Sequence, residues 1–157
     1  MSQSPVVHNT FVLERVYAAS AECVFAAFSD AAKKRRWFAE GSGSSDVEAF
    51  EMDFRVGGIE RVQYRFREGT PFPGVSLESE SVILDIVDGQ RIVSASTMAM
   101  AGRRFSASLV TAEILAAGGG TKLVLTHQGA FFEGSDGPLL REQGWSELLE
   151  RLAKELD

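Results

Sequence analysis

The run Trp145-Ser146-Glu147-Leu148-Leu149-Glu150-Arg151-Leu152-Ala153-Lys154-Glu155-Leu156 decides the fold. Trp145, Leu148, Leu149, Leu152 and Leu156 fall at i, i+3, i+4, i+7 and i+11, which is one face of an α-helix. Glu147, Glu150, Arg151, Lys154 and Glu155 fill the rest of its circumference. A helix with a single apolar stripe must bury it against another element. Just upstream, Gly134-Ser135-Asp136-Gly137-Pro138 interrupts the chain, and Asp136 with Pro138 shortly after it predicts the helix start.

Working outward, the period before that break is two. Residues 48–56 put Phe50, Met52 and Phe54 on one side and Glu51, Asp53 and Arg55 on the other. Residues 59–67 put Val62, Tyr64 and Phe66 against Arg61, Gln63, Arg65 and Arg67. Gly57-Gly58 between them predicts a tight reversal with positive φ angles. Thr70-Pro71-Phe72-Pro73-Gly74 reads as a loop, because proline cannot donate to a sheet ladder. Further strands are predicted at about 78–87, 90–100, 103–116 and 121–128, broken at Asp88-Gly89, Ala101-Gly102 and Gly118-Gly119-Gly120. Connections this short force antiparallel pairing.

Toward the start, Phe11–Tyr17 reads as a first strand, with residues 1–9 expected to be poorly ordered. Ser20 caps a short helix bearing Val24, Phe25 and Phe28, and Asp30 caps a second helical turn running to about Phe38. Gly41-Ser42-Gly43-Ser44-Ser45 has neither a strand before it nor a lysine after it, so it reads as a flexible connector and not a phosphate loop. Residues 1–157 are thus expected to form a single α+β domain, in which a curved antiparallel sheet of six or seven strands wraps the C-terminal helix. Sheet and helix are expected to diverge at the N-terminal end of that helix and leave an apolar pocket.

A net charge of −6 disfavours nucleic acid and anionic membrane as partners, since both require a basic face. Lys33-Lys34-Arg35-Arg36 reads as the solvated side of a short helix, with a phosphate patch as the alternative. Cys23 is the one cysteine, so no internal disulfide forms; beside an apolar stripe it reads as a small buried hydrophobe. No apolar run is long enough to cross a bilayer and no leader-like start is present, so a cytoplasmic location is expected. Two distant histidines and one cysteine do not make a metal site, and no cofactor is expected.

The order of elements resembles the START-like (SRPBCC) superfamily, and within it the branch named for the activator of the heat-shock chaperone ATPase. The residues that carry the likeness are Glu14-Arg15, Trp37-Phe38, Asp53-Phe54-Arg55-Val56-Gly57-Gly58, Asp85-Ile86-Val87 with Arg91-Ile92-Val93, Gly120-Thr121, Leu125-Thr126-His127 and Gly144-Trp145. The likeness spans about residues 10–156. It implies a helix-grip fold with an internal cavity that takes lipids, hormones or polyketides, some members being cyclases or hydrolases. Two positions depart from the pattern. Ala19 stands where a proline is common, and His127 where an acidic residue often follows Leu125-Thr126.

Three functions remain open at this level. The first is binding of a small apolar molecule in the cavity. The second is a stress-related protein-interaction module with a chaperone partner. The third is a cyclase or hydrolase acting on a polyketide-like or aromatic substrate, with His127 as its general base beside Arg141 or a carboxylate. Candidate ligand-binding residues are Trp145, Arg141, Met98, Met100, Phe105, Leu109 and His127. Arg141 lies one turn before Trp145 on the same helical face, and if inward it needs a counter-charge from Glu113, Asp53 or a ligand carboxylate. Met98 and Met100 alternate along one strand, and Phe105, Ala107 and Leu109 along the next. Gly144 inside a helix suggests close approach of the sheet or a ligand. His8 falls in the frayed start, and the alternative reading of His127, which the sequence favours, is a structural histidine tying its strand to the next loop. Phe72 and Phe131-Phe132 are candidates for a cavity mouth or a contact with a second copy of the chain.

Overall fold

A computed structural model describes residues 5–157. In chain order these form β1 (Val7–Tyr17), α1 (Ala21–Ser29), α2 (Ala31–Lys34), a π-helical turn (Arg35–Ala39), β2 (Ser45–Met52), β3 (Ile59–Phe66), β4 (Ser76–Val87), β5 (Arg91–Met100), β6 (Arg103–Ala117), β7 (Gly120–Phe131) and α3 (Pro138–Leu156). The strands make one antiparallel sheet in the order β1-β7-β6-β5-β4-β3-β2. The first strand pairs with the last, so the meander from β2 to β7 carries the chain back to β1. The short helices all fall in the one connection that crosses the sheet, from β1 to β2, and α3 follows β7 and lies in the sheet's curve. This is the helix-grip fold.

Local chemistry explains the helices. The Ser20 hydroxyl accepts from the Cys23 amide at 3.2 Å and the Asp30 carboxylate accepts from the Lys33 amide at 3.1 Å, each satisfying an orphan donor of a first turn. The turn then widens, with the Glu40 amide donating to the Arg35 carbonyl at 2.8 Å. Trp37 is pinned there by its indole N–H, which donates to the Ala27 carbonyl at 2.8 Å. Arg151 of α3 donates to the Trp37 carbonyl at 3.1 Å, and Arg36 pairs with Glu155. The main core gathers Tyr17, Val24, Phe28, Trp37, Ile114, Leu123, Leu149 and Leu152, so the second half of α3 is fully seated.

Several expectations need correction. Strand β1 begins at Val7, because residues 7–9 find partners in Phe131, Ala130 and Gly129; of the stretch expected to be loose, Met1–Ser4 lie outside the described residues. Strand β2 begins at Ser45, which shortens the connector. The reversal between β2 and β3 takes all of Asp53–Gly58, and only Gly57 has a positive φ, of 85°. Gly58 serves close approach instead, since a Cβ there would collide with the Asp53 carbonyl. Gly137, not Asp136, occupies the cap of α3, with Pro138 at the first helical position. Cys23 faces solvent. Gly144 is also on the exposed side, with open space where a Cβ would stand, so the sheet does not approach it. The structure offers no packing reason for that glycine.

Candidate functional site

Pairing registers turn the concave face into rungs that cross several strands. Nearest the seated end of α3, Ile92, Ala112 and Leu125 stand side by side on β5, β6 and β7. The next rung is Ile83, Ser94, Val110, His127 and Phe11. The one after is Glu60, Ser81, Ser96, Ser108 and Gly129. The last is Val62, Ser79, Met98, Ser106 and Phe131. Apolar side chains give way to hydroxyls along the sheet, and over these polar rungs the helix lifts away.

Under the N-terminal half of α3 this leaves a cavity of about 120 Å³. Arg141 and Trp145 reach it from the helix, Phe28, Lys34 and Phe38 from the first connection, and Glu60 and Tyr64 from β3. The sheet contributes Ser79, Ser81, Ser94, Ser96 and Ser108, together with Met98, Val110 and His127. The cavity lies at the N-terminal end of α3, and its mainly apolar wall also carries serines and charged groups.

Its charges are cancelled in pairs. Arg141 is 8% exposed and holds Asp136 through Nε at 2.9 Å and Nη2 at 3.0 Å, while Nη2 also donates to the Ser106 hydroxyl at 2.9 Å. Its guanidinium carbon lies 5.1 Å from the Phe131 ring and 5.9 Å from the Phe105 ring. The counter-charge is thus Asp136 and not Glu113 or Asp53; Glu113 sits on the other face of β6 and Asp53 is taken by Arg55. Lys34 forms the second pair, with its Nζ 3.2 Å from the Glu60 carboxylate and 4.5 Å above the Phe38 ring. Burial holds the Tyr64 hydroxyl in its neutral form, pushing its pKa up to about 12.

His127 is 1% exposed and stacks on Phe11 at 4.7 Å, 7° from parallel. Its ring and that of Phe131 lean over Gly129, where a Cβ would stand 2.8 Å and 2.9 Å from them. Burial, reinforced by the nearby Arg141 cation, lowers its pKa to about 4, so the imidazole is neutral at physiological pH. Its Nδ1 has no hydrogen-bond partner, and neither has the Ser108 hydroxyl oxygen, although both atoms are buried. Both atoms lie beneath the cavity wall, out of reach of solvent. Among the described residues no three His, Cys, Asp or Glu side chains converge as metal ligands.

Residues 18–157 match the family model described as activator of Hsp90 ATPase homolog 1-like protein. The chain belongs to that family. Among solved structures it is similar to a Rhizobium loti protein at 44% identity, covering 96% of this chain and 98% of that one, with a TM-score of 0.83. A Rhizobium leguminosarum protein is 35% identical over 96% and 95% of the two chains, with a TM-score of 0.88. The AHSA1 protein of Silicibacter pomeroyi is 25% identical over 94% and 97%, with a TM-score of 0.70. No curated protein matches. Among the described residues no helix is long and apolar enough to cross a membrane.

The placement of the candidate residues within this member of the family is mixed. Trp145, Arg141, Met98 and His127 line the cavity. Phe105 is buried beside Arg141 but does not reach the cavity wall. Leu109 and Ala107 lie on the opposite, convex face. The cause is a bulge: Met98 faces Ser106 while Ala99 faces Arg104, so Phe105 is an extra residue and the inward set shifts from odd to even numbers. Met100 sits at the end of β5, beyond the last rung, opposite Leu77 and Arg103. His8 is exposed within β1. Phe131 is only 2% exposed, so it forms no surface patch with the exposed Phe72.

Sequence reasoning missed Lys34, Glu60 and the serines. Lys34 precedes Trp37 and Phe38 by three and four residues, which places it on their face of the helix despite its basic neighbours. Glu60 shares the parity of Val62 and Tyr64. The serines alternate as Ser79-Ser81, Ser94-Ser96 and Ser106-Ser108, but alternation alone does not say which face turns inward.

Proposed function

We propose that this protein binds a neutral small molecule, with an apolar body and hydrogen-bonding groups, in the cavity beneath the first half of α3. The observation that carries this reading is the cavity wall itself, which sets Ser79, Ser81, Ser94, Ser96 and Ser108 among the rings of Phe28, Phe38, Tyr64 and Trp145. Both cations of the wall already hold carboxylates, so a charged ligand would have to break an ion pair to be recognised. A neutral ligand need break nothing. The apolar ligand expected from sequence would leave the hydroxyls unmet.

Catalysis draws less support. A general base wants a pKa near the working pH, and His127 near 4 is a weak acceptor of protons at neutrality. It is better suited to hydrogen bonding. The protein-interaction reading lacks the expected aromatic patch, since Phe131 turns inward.

The test is a screen of neutral, ring-sized compounds against isotope-labelled protein by NMR. A binder is expected to shift the amides of Ser96, Ser108, Gly129 and Trp145 saturably. Shifts confined to the convex face, or none across the panel, contradict the reading.

A further inference from the structure

We infer that the Lys34–Glu60 pair recognises a cis amide on the ligand, as in a lactam, a urea or a primary carboxamide. The amide carbonyl accepts from the lysine while the amide N–H donates to the glutamate. This deepens the cavity-binding reading and rests on it.

The placement of the pair comes first. Lys34 closes α2 and Glu60 stands second in β3, so the pair joins the first connection to the sheet. Both residues line the cavity. Their side chains remain 11% and 10% exposed, so neither is sealed away from a molecule that enters.

The hydrogen-bonding capacity of the pair is only partly used. An ammonium carries three N–H donors. Both oxygens of the Glu60 carboxylate stand 3.2 Å from Lys34 Nζ and lie in nearly one direction from it, so a single N–H shared between them makes the bond. The Phe38 ring centroid, 4.5 Å from Nζ, receives a second donor. The rings of Phe28 and Trp37 stand farther off, at 5.5 Å and 5.6 Å, and close two more sides without accepting. Among the described residues the ammonium makes no other hydrogen bond, which leaves its third donor for the cavity. The carboxylate has about four lone-pair sites and accepts from Lys34 alone among the described residues. A donor and an acceptor therefore stand side by side on the wall.

That arrangement selects by chemistry. A cis amide carries its acceptor and its donor on one edge, set apart by a carbon, so two charge-assisted bonds run side by side and the ion pair stays intact. Ketones, esters and ethers accept but do not donate, and so meet only the lysine. A bridging hydroxyl would need both bonds on one oxygen. With two bonds of about 2.8 Å across this pair they would lie only about 70° apart, short of the tetrahedral spread that a hydroxyl offers. A carboxylate would set its charge beside Glu60, and an amidinium would set its own beside Lys34.

The experiment titrates 2-pyrrolidinone, γ-butyrolactone, cyclopentanone and cyclopentanol by NMR into the wild-type chain and into the Lys34→Met/Glu60→Leu variant. The four probes share one five-membered ring and differ only in the group they offer. In the wild type the lactam is expected to bind about tenfold more tightly than the lactone or the ketone, and to shift the Lys34 ammonium resonance. That comparison needs no variant. In the double variant the lactam margin should vanish while the ketone binds within about twofold of its wild-type affinity. Equal binding of lactam and lactone, a preference for cyclopentanol, or a lactam margin that survives the double substitution would overturn this inference and leave the cavity-binding reading standing. Failure of all four probes to bind removes both.

Discussion

Around Leu149 and Leu152, α3 closes on Ile114, Leu123 and Leu125, all of them buried. One helical half-length earlier, around Arg141 and Trp145, the same helix stands over five serines, a neutral histidine and two ion pairs, with space between. The sheet beneath is continuous, and β5, β6 and β7 run through both regions. What differs is the residue placed at each inward position, and that difference separates what stabilises the molecule from what the proposed ligand would meet. Polar groups buried without partners oppose folding, so their concentration at one end is the signature of a functional compromise.

The largest effect is expected at the closed end. Leu152→Ala should remove about 3 kcal/mol of stability, because a fully buried side chain leaves a cavity that the packed core fills poorly. Urea unfolding reads it directly, and a loss below about 1 kcal/mol would mean that this end is not the rigid half. Binding at the open end should survive wherever the variant is folded.

At the boundary, Glu60→Ala strands the Lys34 cation in a site where its side chain is 11% exposed. A loss of roughly 2–3 kcal/mol is expected, and the double variant Lys34→Met/Glu60→Leu should recover most of it, since replacing both partners removes the stranded charge. A double-mutant cycle that finds the two changes additive would break the pairing.

Acid sharpens the contrast further. The folded His127 holds out against protonation to about pH 4, whereas in the unfolded chain it protonates near 6.5. Below 6.5 the unfolded state binds the extra proton, so stability is complete above that pH and falls as the pH drops toward 4, by about 3 kcal/mol. In H127F this component should vanish, which subtraction of the two pH profiles reveals; superimposable profiles would place the histidine in solvent.

Smallest of all, Ser96→Ala should change stability by no more than about 0.5 kcal/mol, since it deletes a hydroxyl that faces the cavity. A loss near that of Leu152→Ala would erase the distinction between the two ends.

The closed end was legible in the sequence and the open end only partly. A stripe of leucines at helical spacing has one stable solution, and short glycine turns force an antiparallel meander, so the grip itself follows from periodicity. Trp145 and Arg141 follow from the same stripe. The lining of β6 did not, because a single bulged residue at Phe105 exchanges the two faces and leaves no mark in composition. Lys34 was hidden for a different reason. A basic run looks solvated until the aromatic residues three and four positions later are seen to share its face. Hydroxyls facing inward are the feature that hydrophobic patterning is least able to register, and here they line the cavity.

The claim that the serine rung serves a ligand and not the fold is tested most directly by thermal unfolding of a variant carrying Ser81→Ala, Ser96→Ala and Ser108→Ala. An unchanged or higher melting temperature is expected, since three inward hydroxyls, one of them unpartnered, are replaced by methyl groups at no cost in packing. A fall of more than about 5 °C would instead make the rung part of what holds the sheet together, and would contradict its assignment as the binding surface.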